Sequence, residues 1–221
     1  MRTQPYFRAG DGGDDFAGAA PAAGSVRPNP AAVASTALWA FIGVATSLFF
    51  LFIASYLMRM QSADWHAIAM PWQLWLSSAL LLAASAAMHG ASASGRHGNG
   101  PAMRALLLAA GLCMLIFLFA QAWAWQALLA SQISATGNPA ASYFYLLTAM
   151  HGLHVAGGIV AWLIVSRPYW HRAARNPTAR AANAVRMCER YWHFLLLAWL
   201  ALFATMAGLT NEVVRFICGA A

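Results

Sequence analysis

Five long stretches of apolar residues decide what this sequence can fold into. A helix that crosses the hydrocarbon core of a bilayer needs about 20 mostly apolar residues. Such stretches lie at about 37–58, 72–88, 105–130, 143–166 and 191–209. Helices satisfy all their backbone polar groups internally, as a chain inside a bilayer must. The sequence therefore predicts an all-α integral membrane bundle of five transmembrane helices.

The composition agrees with this interpretation. Hydrophobic residues make up 61% of the 221 residues and charged residues only 9%, whereas soluble domains have about 45–50% apolar and about 25% charged residues. All basic residues are arginines, and they cluster in segments between the apolar stretches. Because no soluble basic face results, we expect no nucleic acid partner.

The arginines also predict the orientation. They concentrate in the N-terminal tail, beside the second loop and in the fourth loop: Arg2, Arg8, Arg27, Arg96, Arg104, Arg167, Arg172, Arg175, Arg180, Arg186 and Arg190. The first loop holds only Arg59 and Asp64, and residues 131–142 carry no charge. Since cytoplasmic loops carry the excess of basic residues, the N-terminus is predicted inside and the C-terminus outside.

The sequence divides into a tail and a membrane domain. Residues 1–35 are rich in Gly, Pro and Ala and contain no apolar core, so we expect a flexible N-terminal tail rather than a secretory signal. Residues 36–215 form the predicted five-helix transmembrane domain. Cys113, Cys188 and Cys218 lie at three different predicted depths, so we expect neither a disulfide nor a thiolate metal site.

Histidines inside a bilayer are candidate functional residues. His151 and His154 are three residues apart and share a helix face, but no acid or cysteine nearby completes a zinc site. A haem between His154 and His193 is excluded, because they lie about 18 Å and about 3 Å from the inner ends of their spans. His89 and His193 lie at similar depth, so a haem pair there stays open. The alternative is that the histidines hydrogen-bond between helices or to lipid headgroups.

Acidic residues are scarce in the predicted spans. No carboxylate lies between Asp64 and Glu189, although proton relays through a bilayer usually depend on Asp, Glu or His. The sequence therefore predicts a scaffold or partner subunit with no buried charge, rather than a self-contained pump or carrier.

Small residues recur at helical spacing in the fourth stretch. Gly152 and Ala156 are four residues apart, as are Gly157 and Ala161. Such spacing places small side chains on one helix face and allows a neighbouring helix to approach closely. We therefore predict that these faces pack against other helices.

Two motifs resemble one known family. The fourth stretch contains His151-Gly-Leu-His154-Val-Ala-Gly-Gly158, which is similar to the "GxHGLHVxxG" signature of haem–copper respiratory oxidase subunit III. The fifth opens with Arg190-Tyr-Trp-His-Phe194 and continues to Trp199, which resembles that family's "YWHFxDxxW". The resemblance covers roughly residues 36 to 213 and is closest to the five-helix bacterial form found in cytochrome c and quinol oxidases.

The resemblance implies an accessory, non-catalytic subunit in the bacterial inner membrane, with no catalytic residues and no cofactor or metal of its own. Subunit I would hold the haems and copper and reduce oxygen to water, with proton translocation by the complex. The implied partners of this chain are subunit I, subunit II and a phospholipid bound between its helices. The residues expected to shape the bundle and its lipid or subunit contacts are His151, Gly152, His154, Gly158, Tyr191, Trp192, His193, Phe194 and Trp199.

Three positions depart from the family pattern. Thr46, Ala124 and Leu196 stand where members often carry acids, which argues against a role in proton uptake. Two alternatives remain open from the sequence. One is the accessory subunit of a nitric oxide reductase, and the other is a stand-alone membrane cytochrome b.

Overall fold

Five long helices account for all the regular structure in the described part of the chain. The computed structural model describes residues 30–66, 68, 70–170 and 179–208, with the backbone only at residues 30, 179 and 180. The helices are α1 (Pro30–Arg59), α2 (Gln73–Arg96), α3 (Gly100–Ala130), α4 (Pro139–Trp170) and α5 (Ala179–Gly208). All five are long and apolar enough to cross a membrane. The predicted all-α, five-helix class is confirmed, whereas most of the predicted tail and residues 209–215 lie outside the described residues.

The helices extend beyond the apolar stretches that predicted them. At 1.5 Å per residue, the 31 residues of α3 measure about 46 Å, against about 30 Å of hydrocarbon. The largest extension is at α5, which begins at Ala179, twelve residues before the predicted start at Tyr191. Hydropathy detects only the part of a helix that lies in hydrocarbon, so polar turns in the headgroup layer escape it.

The connection between α2 and α3 is built from local capping. Gly98 has φ +69°, a left-handed conformation that glycine adopts without strain. Asn99 follows as the N-cap of α3, and its side-chain oxygen accepts a hydrogen bond from the Ala102 N–H at 3.2 Å. Pro101 occupies the first turn, where its missing N–H is no loss. This short turn makes α2 and α3 antiparallel neighbours.

Four helices form a closed ring, and α1 lies outside it. α2 packs against α3 and α5, while α4 packs against α3 and α5 and thereby completes the ring. α1 contacts α4 and α5, and only 11% of its spanning part is buried, against 33–44% in the other four helices. The core of the ring consists of large apolar and aromatic side chains, among them Leu81, Met88, Met114, Phe117, Phe144, Leu147, Trp192, Leu195 and Trp199.

An ion pair neutralises the loop between α1 and α2. The two Arg59 guanidinium nitrogens donate to the two Asp64 carboxylate oxygens at 2.7 and 2.6 Å. The Arg59 guanidinium holds the pKa of Asp64 well below its usual range. Both side chains are more than one third exposed, so solvent screens the pair. This loop consequently carries no net charge.

Candidate functional site

Gly158 allows α5 to approach α4 closely. A Cβ at this position would lie 3.0 Å from Leu195 Cδ1 and 3.2 Å from Tyr191 Cε1. The Trp192 indole N–H donates to the Gly158 carbonyl at 3.4 Å, and the Tyr191 hydroxyl donates to the His154 carbonyl at 2.9 Å. The two motif segments predicted from the sequence therefore meet along one interface between α4 and α5.

His151 is part of an aromatic core inside the ring. Its side chain has no exposure, and its ring centroid lies 5.2 Å from that of Trp199, 5.8 Å from Phe117 and 6.3 Å from Phe49. The Trp199 indole N–H donates to the Ser78 hydroxyl of α2 at 2.9 Å. Neither ring nitrogen of His151 has a hydrogen-bond partner among the described residues. From α4, this histidine therefore packs against α3 and α5, with Phe49 of α1 beside it.

His154 faces α1 rather than the ring. Its Nδ1–H donates to the Met150 carbonyl one turn earlier at 2.7 Å. Its ring lies 5.1 Å from Phe49 and 6.0 Å from Phe41, both on α1. In the described part of the chain, neither His151 nor His154 belongs to a group of three or more His, Cys, Asp or Glu side chains close enough to share an ion. The two histidines thus share Phe49 as a neighbour, but His151 also packs against α3 and α5, whereas the ring of His154 packs against α1.

A second histidine cluster joins α2 and α5. His89 Nδ1 lies 2.7 Å from Glu189 Oε1, and His193 Nε2 lies 3.6 Å from the same oxygen. The other ring nitrogen of His193, Nδ1, forms a short hydrogen bond with the Ser85 hydroxyl. The two imidazole centroids are 6.1 Å apart, which confirms the prediction that His89 and His193 lie at similar depth.

Glu189 corrects the prediction that the bundle contains no buried charge. Only 7% of this residue is exposed. The predicted fifth span begins at Tyr191, so Glu189 was predicted to lie in the preceding loop. The sequence did contain a pattern that indicates this cluster: Ser85 and His89 are four residues apart, as are Glu189 and His193. That spacing places each pair on one helix face.

The small-residue faces of α4 do not pack as predicted. A Cβ at Gly152 or Gly157 would meet no atom within 4 Å among the described residues, and Ala156 is exposed. The close approach occurs instead at Gly158, which belongs to neither predicted pair. Spacing alone did not reveal which face of α4 the ring would cover.

Gly157 and Ala161 line a groove between α1, α4 and α5. The groove encloses about 390 Å³ and is lined almost entirely by apolar atoms. Tyr191 contributes to its wall and stacks against Phe194, with the ring centroids 6.1 Å apart and the planes at 29°. Its remaining lining residues are Leu38, Phe41, Val165, Ala184, Met187 and Cys188.

The positions that lack the family's acids have different surroundings. Thr46 is exposed on α1, and its hydroxyl donates back to the Ile42 carbonyl at 2.7 Å. Ala124 is fully buried in α3, whereas Leu196 on α5 is half-buried. Gln121 lies on α3 one turn before Trp125. It is buried, and its side-chain amide has no hydrogen-bond partner among the described residues.

Comparison with known proteins identifies the family. The family model for cytochrome c oxidase subunit III matches residues 44–208, which is well over half of the chain. The probable cytochrome c oxidase subunit 3 of Mycobacterium tuberculosis strain H37Rv is 33% identical over 92 residues, 42% of this chain and 44% of that protein. The cytochrome c oxidase subunit 3 of Synechocystis is 30% identical over 129 residues, 58% of this chain and 53% of that protein.

A quinol-oxidase relative also matches. The cytochrome bo(3) ubiquinol oxidase subunit 3 of Pseudomonas aeruginosa is 32% identical over 65 residues, 29% of this chain and 30% of that protein. The chain thus spans about half or less of the length of these curated relatives. Five membrane-length helices and the match over 44–208 lead to one conclusion: this multi-pass membrane protein belongs to the cytochrome c oxidase subunit III family.

Proposed function

We propose that this protein is the accessory subunit III of a haem–copper terminal oxidase in the bacterial cytoplasmic membrane. It packs against subunit I, which holds the haems and copper, and it assembles with subunit II. The complex reduces oxygen to water and translocates protons, while this chain stabilises subunit I. The family match over residues 44–208 carries the proposal, and the names of the mycobacterial and cyanobacterial relatives support it.

The positions of the histidines support a subunit without haem of its own. His151 is enclosed by aromatic rings, and His154 faces α1. His89 and His193 both approach one oxygen of Glu189, whereas a haem iron would need them on opposite faces of a porphyrin. This arrangement favours the accessory subunit over a stand-alone cytochrome b.

The distribution of arginines over the helix ends supports the proposed orientation. Arg96 and Arg104 flank the α2–α3 turn, and Arg167 and Arg186 lie near the end of α4 and the start of α5. Because successive helices run antiparallel, these four residues share one end of the bundle. The opposite end carries the neutralised loop of Arg59 and Asp64. By the positive-inside rule, the arginine-rich end and the start of α1 face the cytoplasm.

Removing the chain tests the accessory role. We expect an oxidase purified from cells lacking it to keep its haem content per subunit I but to lose activity faster during turnover. The haem absorption spectrum and the decay of oxygen consumption measure the two effects. Re-expression of the wild-type chain is the control, and it should restore the lifetime and co-purify with subunit I. Loss of the haem spectrum on removal would contradict the proposal.

The groove between α1, α4 and α5 supports the proposed phospholipid. Its lining is apolar, and it is open to the protein surface, so an acyl chain fits it better than a polar ligand does. Arg167 and Arg186 lie near the end of α4 and the start of α5, the two helices that line it with α1. Basic residues near the surface attract anionic headgroups by about 1 kcal/mol each.

A leucine at Gly157 should displace this lipid. Gly157 lines the groove, and nothing lies within 4 Å of a Cβ added there. We therefore expect Gly157→Leu to fold but to lose most of the phospholipid that co-purifies with wild type. Mass spectrometry of lipids extracted from the purified complex measures this.

Gly152→Leu is the matched control for the lipid prediction. Gly152 lies on the same helix, and a Cβ there is equally unobstructed, but it does not line the groove. It should keep the wild-type amount of lipid. Equal lipid in both variants and wild type would place the phospholipid elsewhere.

A further inference from the structure

The cluster of His89, Glu189 and His193, with Ser85, stands apart from the groove. α2 contributes Ser85 and His89, and α5 contributes Glu189 and His193, each pair one helical turn apart. The two pairs face each other across the α2–α5 contact, near the arginine-rich end of the bundle. Four polar side chains from two helices therefore converge at this end of the α2–α5 contact.

The three candidate ligand atoms are already close to metal-binding separation. One nitrogen of each imidazole and one oxygen of Glu189 all lie within 4.8 Å of one another. In a tetrahedral zinc site with ligand distances of about 2.0–2.2 Å, neighbouring ligand atoms are about 3.3 Å apart. The observed separations of 2.7 Å from His89 and 3.6 Å from His193 to Glu189 Oε1 lie on either side of that value.

Ser85 orients one of the imidazoles. In the tautomer whose Nδ1–H donates to the Ser85 hydroxyl, His193 Nε2 carries a lone pair and faces Glu189. A hydrogen bond of this kind, from the second ring nitrogen of a metal-binding histidine, fixes the ring and raises its basicity. Ser85 is itself buried, at 4% exposure, so its hydroxyl is held in place.

The buried carboxylate of Glu189 requires a compensating positive charge. Among the described residues, the chargeable groups within ion-pair distance of Glu189 are His89 and His193, and no arginine lies that close. A divalent cation compensates the carboxylate while leaving both histidines neutral, which is the form that binds metals.

We propose that His89, Glu189 and His193 bind a zinc-type divalent ion that joins α2 to α5. Two nitrogens and one carboxylate oxygen suit zinc and neighbouring transition metals rather than calcium or magnesium, which take oxygen ligands. The side chain of His89 is 62% exposed and lies towards the arginine-rich end of the bundle, so an ion can reach it from that end, and water completes the coordination. The role is structural, and it does not depend on the lipid groove or on the oxidase assignment.

Zinc titration of the full chain tests this site. The chain is purified in a mild detergent, stripped with a chelator and titrated with Zn²⁺ against a chromophoric chelator at neutral pH. We expect one zinc per chain and a rise in the thermal midpoint, since an ion that binds only the folded state stabilises it. His89→Gln, Glu189→Gln and His193→Gln should each weaken binding about 100-fold or more. Ser85→Ala should weaken it about tenfold, as loss of a ligand's hydrogen-bond partner does.

His97→Gln is the matched control for zinc binding. His97 is an exposed histidine at the C-terminal cap of α2, outside the cluster, so its loss should leave the affinity unchanged. His89→Gln is the safest of the ligand variants, because its exposed ring contributes little to packing. Absence of a stoichiometric zinc, or an unchanged affinity in His89→Gln, would overturn the proposal. An equal loss of affinity in His97→Gln would also overturn it.

Discussion

The Gly111→Ala variant is expected to be strongly destabilised, although it adds a single methyl group. A Cβ at Gly111 in α3 would overlap the indole ring of Trp162 from α4, with Cη2 2.5 Å and Cε2 2.6 Å away. The ring has little freedom to move, because Trp162 is 5% exposed and its N–H donates to the Leu107 carbonyl at 3.0 Å. Overpacking of this kind costs about 1–3 kcal/mol, and occasionally more.

Gly152→Ala is the matched control for that substitution. Gly152 is also helical, but a Cβ there meets nothing within 4 Å among the described residues. Its replacement should be neutral or stabilising by up to about 1 kcal/mol, because alanine is the better helix former. Thermal unfolding of the full chain in detergent, followed by circular dichroism, measures both variants. Similar midpoints for the two would show that α3 and α4 do not meet at Gly111.

The second large effect is expected from Trp199→Ala. Trp199 has no exposure, and its ring packs against His151 and Phe117 while its N–H donates to Ser78. Replacing a core Trp by Ala costs about 3–5 kcal/mol in soluble proteins. In a bilayer, lipid is as apolar as the core, so the cost reflects the cavity and the lost hydrogen bond to Ser78. The Ser78 hydroxyl keeps its own hydrogen bond to the Leu74 carbonyl, and we expect the lower end of that range.

Two further variants separate the contributions at Trp199. Trp199→Phe keeps most of the ring but removes the donor to Ser78, so its loss of stability should be smaller than that of the alanine variant. Trp39→Ala removes a tryptophan that is 58% exposed on α1 and should leave the ring intact. Resistance to unfolding by a denaturing detergent measures all three. If Trp39→Ala were as damaging as Trp199→Ala, the assignment of Trp199 to the core of the ring would be wrong.

The sequence predicted the fold best where one local property of the chain, such as hydropathy, is sufficient. Crossing hydrocarbon requires about 20 apolar residues, so the existence and order of all five helices could be predicted. The two histidine-containing motifs could be recognised without knowing what they touch. The similar depth of His89 and His193 followed from counting residues along helices, and their ring separation of 6.1 Å confirms it.

The predictions that were wrong are those that depend on which helix packs against a given helix face. Glu189 was placed in a loop because its neighbours Arg186 and Arg190 are charged, yet α5 begins at Ala179 and α2 covers the carboxylate. Gly152 and Gly157 had the spacing of a packing face, but the ring turns Gly158 towards α5 instead. Helical period determines which residues share a face but not which face is covered.

The sequence by itself therefore determined the class of this protein, its five membrane-length helices and its family motifs, because hydropathy and motif spacing are local properties. Only the tertiary structure decided that α2 to α5 close into a ring with α1 outside, and that Glu189 lies between two histidines. It also decided that the small residues of α4 line an open groove. These features depend on contacts between residues far apart in the chain, and side-chain shape at each helix crossing selects among them.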